Sequence, residues 1–120
     1  MTIGEMARKT GLTESALRYY EKKGLICVPR DKGGRRDYDE RDAEWVGFIC
    51  RLKETGMLLR DIRRYAELRY QGPPTMPERL AMLEEHRAYV LEQQKKWAEH
   101  LDKLEKKIAF YQDEIFRLTV

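Results

Sequence analysis

IGEMARKTGLTESALRYYEKKGLI, residues 3–26 of the 120-residue chain, reads as two short helices joined by a glycine turn. Thr2 precedes the first helix and Glu5 follows three positions later, so hydroxyl and carboxylate can satisfy two orphan amides reciprocally. Thr13 opens the second helix through its hydroxyl alone. Gly11 breaks the chain between them, and Gly24 stands where the second helix needs a left-handed residue to stop. This order of caps and turns is that of a helix-turn-helix, a motif whose second helix enters the DNA major groove.

The second helix, ESALRYYEKK, divides cleanly by helical period. Ala16, Leu17 and Tyr20 share one side and can pack on Ile3, Met6, Ala7 and Leu12 of the first helix. Ser15, Arg18, Tyr19 and Lys22 share the other. That face, with Thr13 at its leading end, offers cations, a phenol and hydroxyls to phosphates and base edges. A basic helix face is often merely solvated, but the capped helix before it and the cationic loop after it favour DNA binding. In that loop, CVPRDKGGRRDY (27–38), Gly33-Gly34 can supply positive φ at the tip of a hairpin between two short strands. Arg30, Lys32, Arg35 and Arg36 crowd it. A plain surface hairpin can look the same; directly after a helix-turn-helix it reads as a wing, over about 25–38, that reaches phosphates or the minor groove.

Asp39 can cap a third helix through about Thr55, with Trp45, Phe48, Ile49 and Leu52 on its buried stripe and Gly56 ending it. A fourth is expected from near Leu59 to Tyr70, packing through Leu59, Ile62, Tyr65, Ala66 and Leu68. This second pair, at about 40–70, completes a winged helix-turn-helix head over residues 1–71. Arg51 and Lys53 can touch the DNA backbone from the third helix, though solvation explains them equally well. Gly72-Pro73-Pro74 cannot continue a helix, so 72–77 reads as a linker, and Thr75 with Glu78 offers another capping box.

From 78 to 120 the chain has no proline or glycine. Its apolar spacing alternates four and three: Leu83, Arg87, Val90, Gln94, Trp97, Leu101, Leu104, Ile108, Tyr111, Ile115, Leu118. That is a coiled-coil seam, and Arg87 and Gln94 are the polar interruptions that tend to set register and partner number. The helix would run roughly 60 Å at 1.5 Å per residue. Nothing left in the chain can cover its stripe, so a homodimer is expected, joined through Leu83, Val90, Trp97, Leu101, Leu104, Ile108, Tyr111 and Ile115.

The charge agrees with this division. Residues 1–38 hold nine Lys/Arg against five Asp/Glu, while 73–120 hold eight against nine, within a net charge of +3. The positive excess lies where the DNA is expected. No apolar run is long enough to span a bilayer, and no charged-then-apolar leader is present, so no membrane partner is expected and the cytoplasm is the default.

ALRYYEKKGLI, followed by GRRDYDERD, resembles the DNA-binding head of the MerR family of bacterial transcription regulators, and the resemblance extends in order along the whole chain. It implies a mainly α fold: a winged helix-turn-helix head with a second helix pair, then a long C-terminal helix pairing as an antiparallel coiled coil. It implies DNA contacts from Arg18 and the Tyr19-Tyr20 pair, and a grip on flanking backbone from Arg36 and Tyr38. Helical period favours Tyr19 over Tyr20, because Tyr20 shares its side with Leu17. It further implies a pseudo-palindromic promoter site, with RNA polymerase a partner there, and activation by bending and untwisting an overlong spacer.

The signal is bounded mostly by exclusion. Metal-sensing relatives carry cysteines near the start of the long helix and in a loop at its end, where this chain has Pro77 and stops at Val120. Iron–sulfur relatives need a cysteine cluster, and drug-binding relatives append a large effector domain. His86 and His100 lie fourteen residues apart, too far to share a metal within one helix. No metal and no cofactor is expected. Two cysteines remain. Cys27 opens the wing as a small apolar residue, and Cys50 is flanked by Arg51 and Lys53, cations that can favour its thiolate. Short relatives that answer to aldehydes and other electrophiles place a lone cysteine one position later, so Cys50 is a candidate thiol sensor weighed against a plain core cysteine.

Two other classes fit parts of the pattern: a coiled-coil adaptor with a basic head, and a DNA-architectural protein that bends DNA without controlling a promoter. Steep salt dependence and duplex competition separate the first from a regulator. An enzyme fits worst, because no nucleophile with a base and no phosphate-cradling glycine loop with a lysine is present.

Overall fold

The computed structural model describes residues 1–120, and its first three helices start at the caps just named. The elements are α1 (Ile3–Thr10), α2 (Glu14–Lys22), α3 (Glu40–Glu54), α4 (Leu59–Gln71), a single 3-10 turn (Pro73–Thr75) and α5 (Met76–Thr119). Thr2 and Glu5 form the reciprocal capping box, and the Thr13 hydroxyl accepts from the Ala16 amide at 3.0 Å. Asp39 caps α3 and gains a return bond from Asp42, a second reciprocal pair. At the end of α2, Gly24 adopts φ 77° while the Leu25 amide bonds back to the Tyr20 carbonyl and the Gly24 amide to that of Glu21. This is a Schellman stop, which a left-handed residue makes possible.

The chain packs as two units, Met1–Met82 and Leu83–Val120. In the first, Met6, Leu17, Leu25, Val46, Ile49, Ile62 and Leu68 are buried between the four short helices. Trp45 joins three elements: its indole N–H donates to the Leu25 carbonyl at 2.8 Å, its ring stacks on Tyr65 at 5.7 Å, and the Arg69 guanidinium lies 4.5 Å above it. The segment between α2 and the wing is thereby tied down, and the Cys27 amide adds a bond to the Tyr70 hydroxyl. Leu25 and Ile26, at the expected start of the wing, are core residues.

Three expectations need correction. The wing has no strands, only one antiparallel bridge between Arg30 and Arg36, because its tight turn leaves too few residues for a ladder. Thr75 does not form a capping box with Glu78. Its hydroxyl turns back to the Leu68 and Gly72 carbonyls at the end of α4, the second of which also accepts from the Thr75 amide and Arg79, while Glu78 pairs with Arg64 at 3.0 Å. Leu59 stays 39% exposed, since α4 begins at that residue and its buried stripe starts a turn later with Ile62.

The second unit is the body of α5, and no residue of that helix is buried. Trp97, Leu101, Leu104, Ile108, Tyr111 and Ile115 are all exposed, and Leu83 and Val90 are half-buried. The helix therefore carries an apolar stripe of the kind that soluble chains do not leave in water.

Candidate nucleic-acid interface

α2 presents the expected outer face. Thr13, Ser15, Arg18, Tyr19 and Lys22 are exposed, and Arg18 has only a loose ion pair with Glu14, at 3.9 Å. Its guanidinium is thus available to another acceptor. The two tyrosines part company: Tyr19 is 43% exposed with Lys23 over its ring, whereas Tyr20 is 5% exposed. Lys53 of α3 lies over the Tyr20 ring at 5.8 Å. Burial, with Cys50 as its hydrogen-bonding neighbour, pushes the Tyr20 phenol above its ordinary pKa.

The wing is built around Asp31. Its carboxylate accepts from the Gly33 and Arg35 amides at 2.9 and 3.0 Å, an Asx-type turn closed by Gly34 at φ 78°. Backbone bonds from Asp31 to Arg35 and from Asp37 to Pro29 complete the hairpin, and the Tyr38 amide donates to the Met1 carbonyl. Lys32 and Arg35 project from the tip into solvent. Arg30 and Arg36, by contrast, both turn to Glu21 at the end of α2, at 2.8 and 2.5 Å. The carboxylate holds the Arg36 guanidinium above its usual pKa.

Tyr38 lies beneath this cluster, 1% exposed, and its hydroxyl has no hydrogen-bond partner in the protein. It sits in the core and not on the outer surface of the wing. A buried unpaired hydroxyl costs about 1–3 kcal/mol. Tyr38→Phe is therefore expected to raise the unfolding free energy by about 1 kcal/mol, read from the urea midpoint, and to leave DNA affinity unchanged. A fall in affinity would show that the hydroxyl reaches DNA after all.

A second cationic cluster lies off the outer face of α2 and is not legible from its helical period. Lys23, Arg60, Arg63 and Arg64 line one hollow beside the end of α2, with Leu59 and Glu67 its other walls. Arg63 and Arg64 share the one carboxylate of Glu67, at 3.7 and 3.6 Å. The arginine run at 60–64 signals it in sequence, but only folding brings it against Gly24, whose added Cβ would stand 3.7 Å from the Arg63 side chain. Both cysteines are free thiols; Cys27 is exposed and Cys50 half-buried.

An exposed helix face, a cationic hairpin wing beside it and a second helix pair behind define a winged helix-turn-helix DNA-binding protein. The chain belongs to the MerR family: the MerR HTH family regulatory protein profile matches residues 1–68, and the profile described as MerR, DNA binding matches 43–98. It is 40% identical over 112 residues to an HTH-type transcriptional regulator of Haemophilus influenzae, covering 92% of this chain and 83% of that one. It is also similar to the transcriptional regulator AdhR of Bacillus subtilis, 38% identical across 77% of this chain and 66% of the relative. Among solved structures it resembles HiNmlR, a MerR family regulator lacking the sensor domain and bound to promoter DNA. There the TM-score is 0.84 at 40% identity, covering 93% of this chain and 90% of that one. A putative MerR family regulator from Listeria monocytogenes superposes with a TM-score of 0.89 at 28% identity, over 93% and 86% of the two chains. The protein is a DNA-binding transcriptional regulator of the MerR type.

Proposed function

We propose that the chain acts in the cytoplasm as a homodimer, binding a pseudo-palindromic promoter site and distorting the spacer between the elements read by RNA polymerase. One observation carries this reading: Arg18, Ser15, Tyr19 and Lys22 stand exposed on one face of α2, next to the wing. Base edges are read by Arg18 and its neighbours. Phosphates on the flanks are gripped by Lys32 and Arg35 from the wing tip and by Lys23, Arg60 and Arg63 on the other side of α2. Tyr20 and Tyr38 act from within, as supports of α2 and of the wing. The exposed stripe of α5 supports pairing of two chains, and two-fold symmetry then duplicates the half-site. Bending the spacer costs several kcal/mol by elastic estimates, which phosphate contacts on both flanks offset.

For the signal, Cys50 is the candidate thiol, half-buried against the Tyr20 hydroxyl at the back of the reading helix. A group added to its sulfur would press on α2 from behind. The test is a footprint on the DNA upstream of the chain's own and neighbouring genes, with and without formaldehyde. Protection of a palindrome between promoter elements supports the regulator reading, and its absence on every promoter fragment favours the adaptor. A change at the centre of the footprint on adding the aldehyde should be lost in Cys50→Ser. A change that persists in that variant removes Cys50 as the sensor.

A further inference from the structure

Glu21 stands in the last turn of the reading helix, facing the wing. It is largely covered, with 21% of its side chain exposed, and each of its oxygens takes a different guanidinium. Oε1 accepts from Arg30 at 2.8 Å and Oε2 from Arg36 at 2.5 Å. Those two arginines are the residues that face each other across the single bridge of the hairpin. Like charges directly opposite each other on paired strands repel, so without a counter-charge the narrowest part of the wing would open. The two ends of the wing are held at Cys27 and Tyr38, and between them the Glu21 pairs are the contacts that tie the bridge of the hairpin to α2.

We propose that Glu21 is a positioning residue for DNA recognition: it locks the wing to the reading helix and withholds Arg30 and Arg36 from phosphate. The acid sets a division of labour among the wing's cations. Arg30 and Arg36 are engaged by Glu21 as one clamp of net charge +1 at the surface, while Lys32 and Arg35 meet the backbone. Removing the acid has two opposite effects. The wing loses its fixed geometry, which lowers affinity for the right sequence. Two guanidiniums are also released to any phosphate within reach, which raises affinity for the wrong one. A residue that merely stabilised the fold would lower both affinities together.

The proposal rests on the chain reading DNA through α2 and the wing, and its test keeps the two apart. The probe is the duplex that the wild-type protein enriches from a randomised pool, measured against an unrelated duplex of equal length over a range of salt. If the wild-type enriches no sequence, the DNA-reading assignment itself fails. Given an enriched duplex, Glu21→Gln, which keeps size and removes charge, is expected to cut the specific-to-non-specific ratio about tenfold, the cost of one mismatched base pair. Its non-specific binding should tighten, and the slope of log K against log salt should steepen by about 0.9 for each guanidinium freed. In a background of Arg30→Gln and Arg36→Gln, the same Glu21 change should leave ratio and slope unmoved. An unchanged ratio and slope in the single variant, or equal effects in both backgrounds, would overturn the proposal.

Discussion

Trp97→Asp is expected to leave the protein monomeric and to cost it at least about 100-fold in affinity for a two-fold DNA site. The indole is 73% exposed in the single chain and lies mid-stripe, with Leu101 and Leu104 one and two turns further on. A carboxylate set among the apolar residues of the proposed seam would be buried without a charge partner of its own. Once the helices separate, the two heads bind independently, and the gain from presenting the second head at high effective concentration is lost. Sedimentation shows the change in mass, and titration of the palindrome shows the change in affinity. The head should keep its far-ultraviolet dichroism, because Trp97 lies outside the Met1–Met82 unit. A variant that still sediments as a dimer would refute the seam.

Arg18→Ala is the second large effect. A bidentate base contact is worth about 1–3 kcal/mol, so each half-site should lose roughly tenfold or more, and a dimer pays twice. If Arg18 reads a base, discrimination between the selected duplex and scrambled DNA collapses while the salt slope barely moves. A uniform loss across all sequences, with a slope shallower by about one, would reassign it to phosphate. Dimer mass should stay unchanged. Unaltered binding to both duplexes would show that the outer face of α2 has been misassigned.

Much of the head was readable residue by residue because its signals are local. Thr2, Thr13, Asp39, Gly24 and Gly56 act within a turn of themselves, so helix ends followed directly from sequence. Helical period likewise separated Tyr19 from Tyr20, which face water and core respectively. What sequence misjudged depends on what lies opposite. Thr75 has capping chemistry, but the carbonyls at the end of α4 compete for its hydroxyl more effectively than the next helix does. Tyr38, which the resemblance sets among the backbone grips, is covered once the hairpin folds over the head, a burial that depends on residues far away in sequence. The pairing of Arg30 and Arg36 with Glu21 spans nine and fifteen residues, beyond any periodic pattern, so the wing's arginines all looked equivalent. The cation hollow at α4 escaped for the same reason.

The two tryptophans give the molecule separate optical reporters. Trp45 is 4% exposed, with its indole N–H bonded to a main-chain carbonyl, whereas Trp97 is exposed in the single chain and is covered only where two helices pair. Buried indoles emit to the blue of solvated ones, so Trp97 shifts to the red when the helices part, and Trp45 only when the head unfolds. On dilution or warming, emission from Trp97 tracks whether helices have met, and emission from Trp45 tracks whether the head is folded. In a Trp97→Phe background the remaining fluorescence belongs to the head alone. Folding and assembly, which usually blur into one transition in small obligate dimers, can then be followed as two curves.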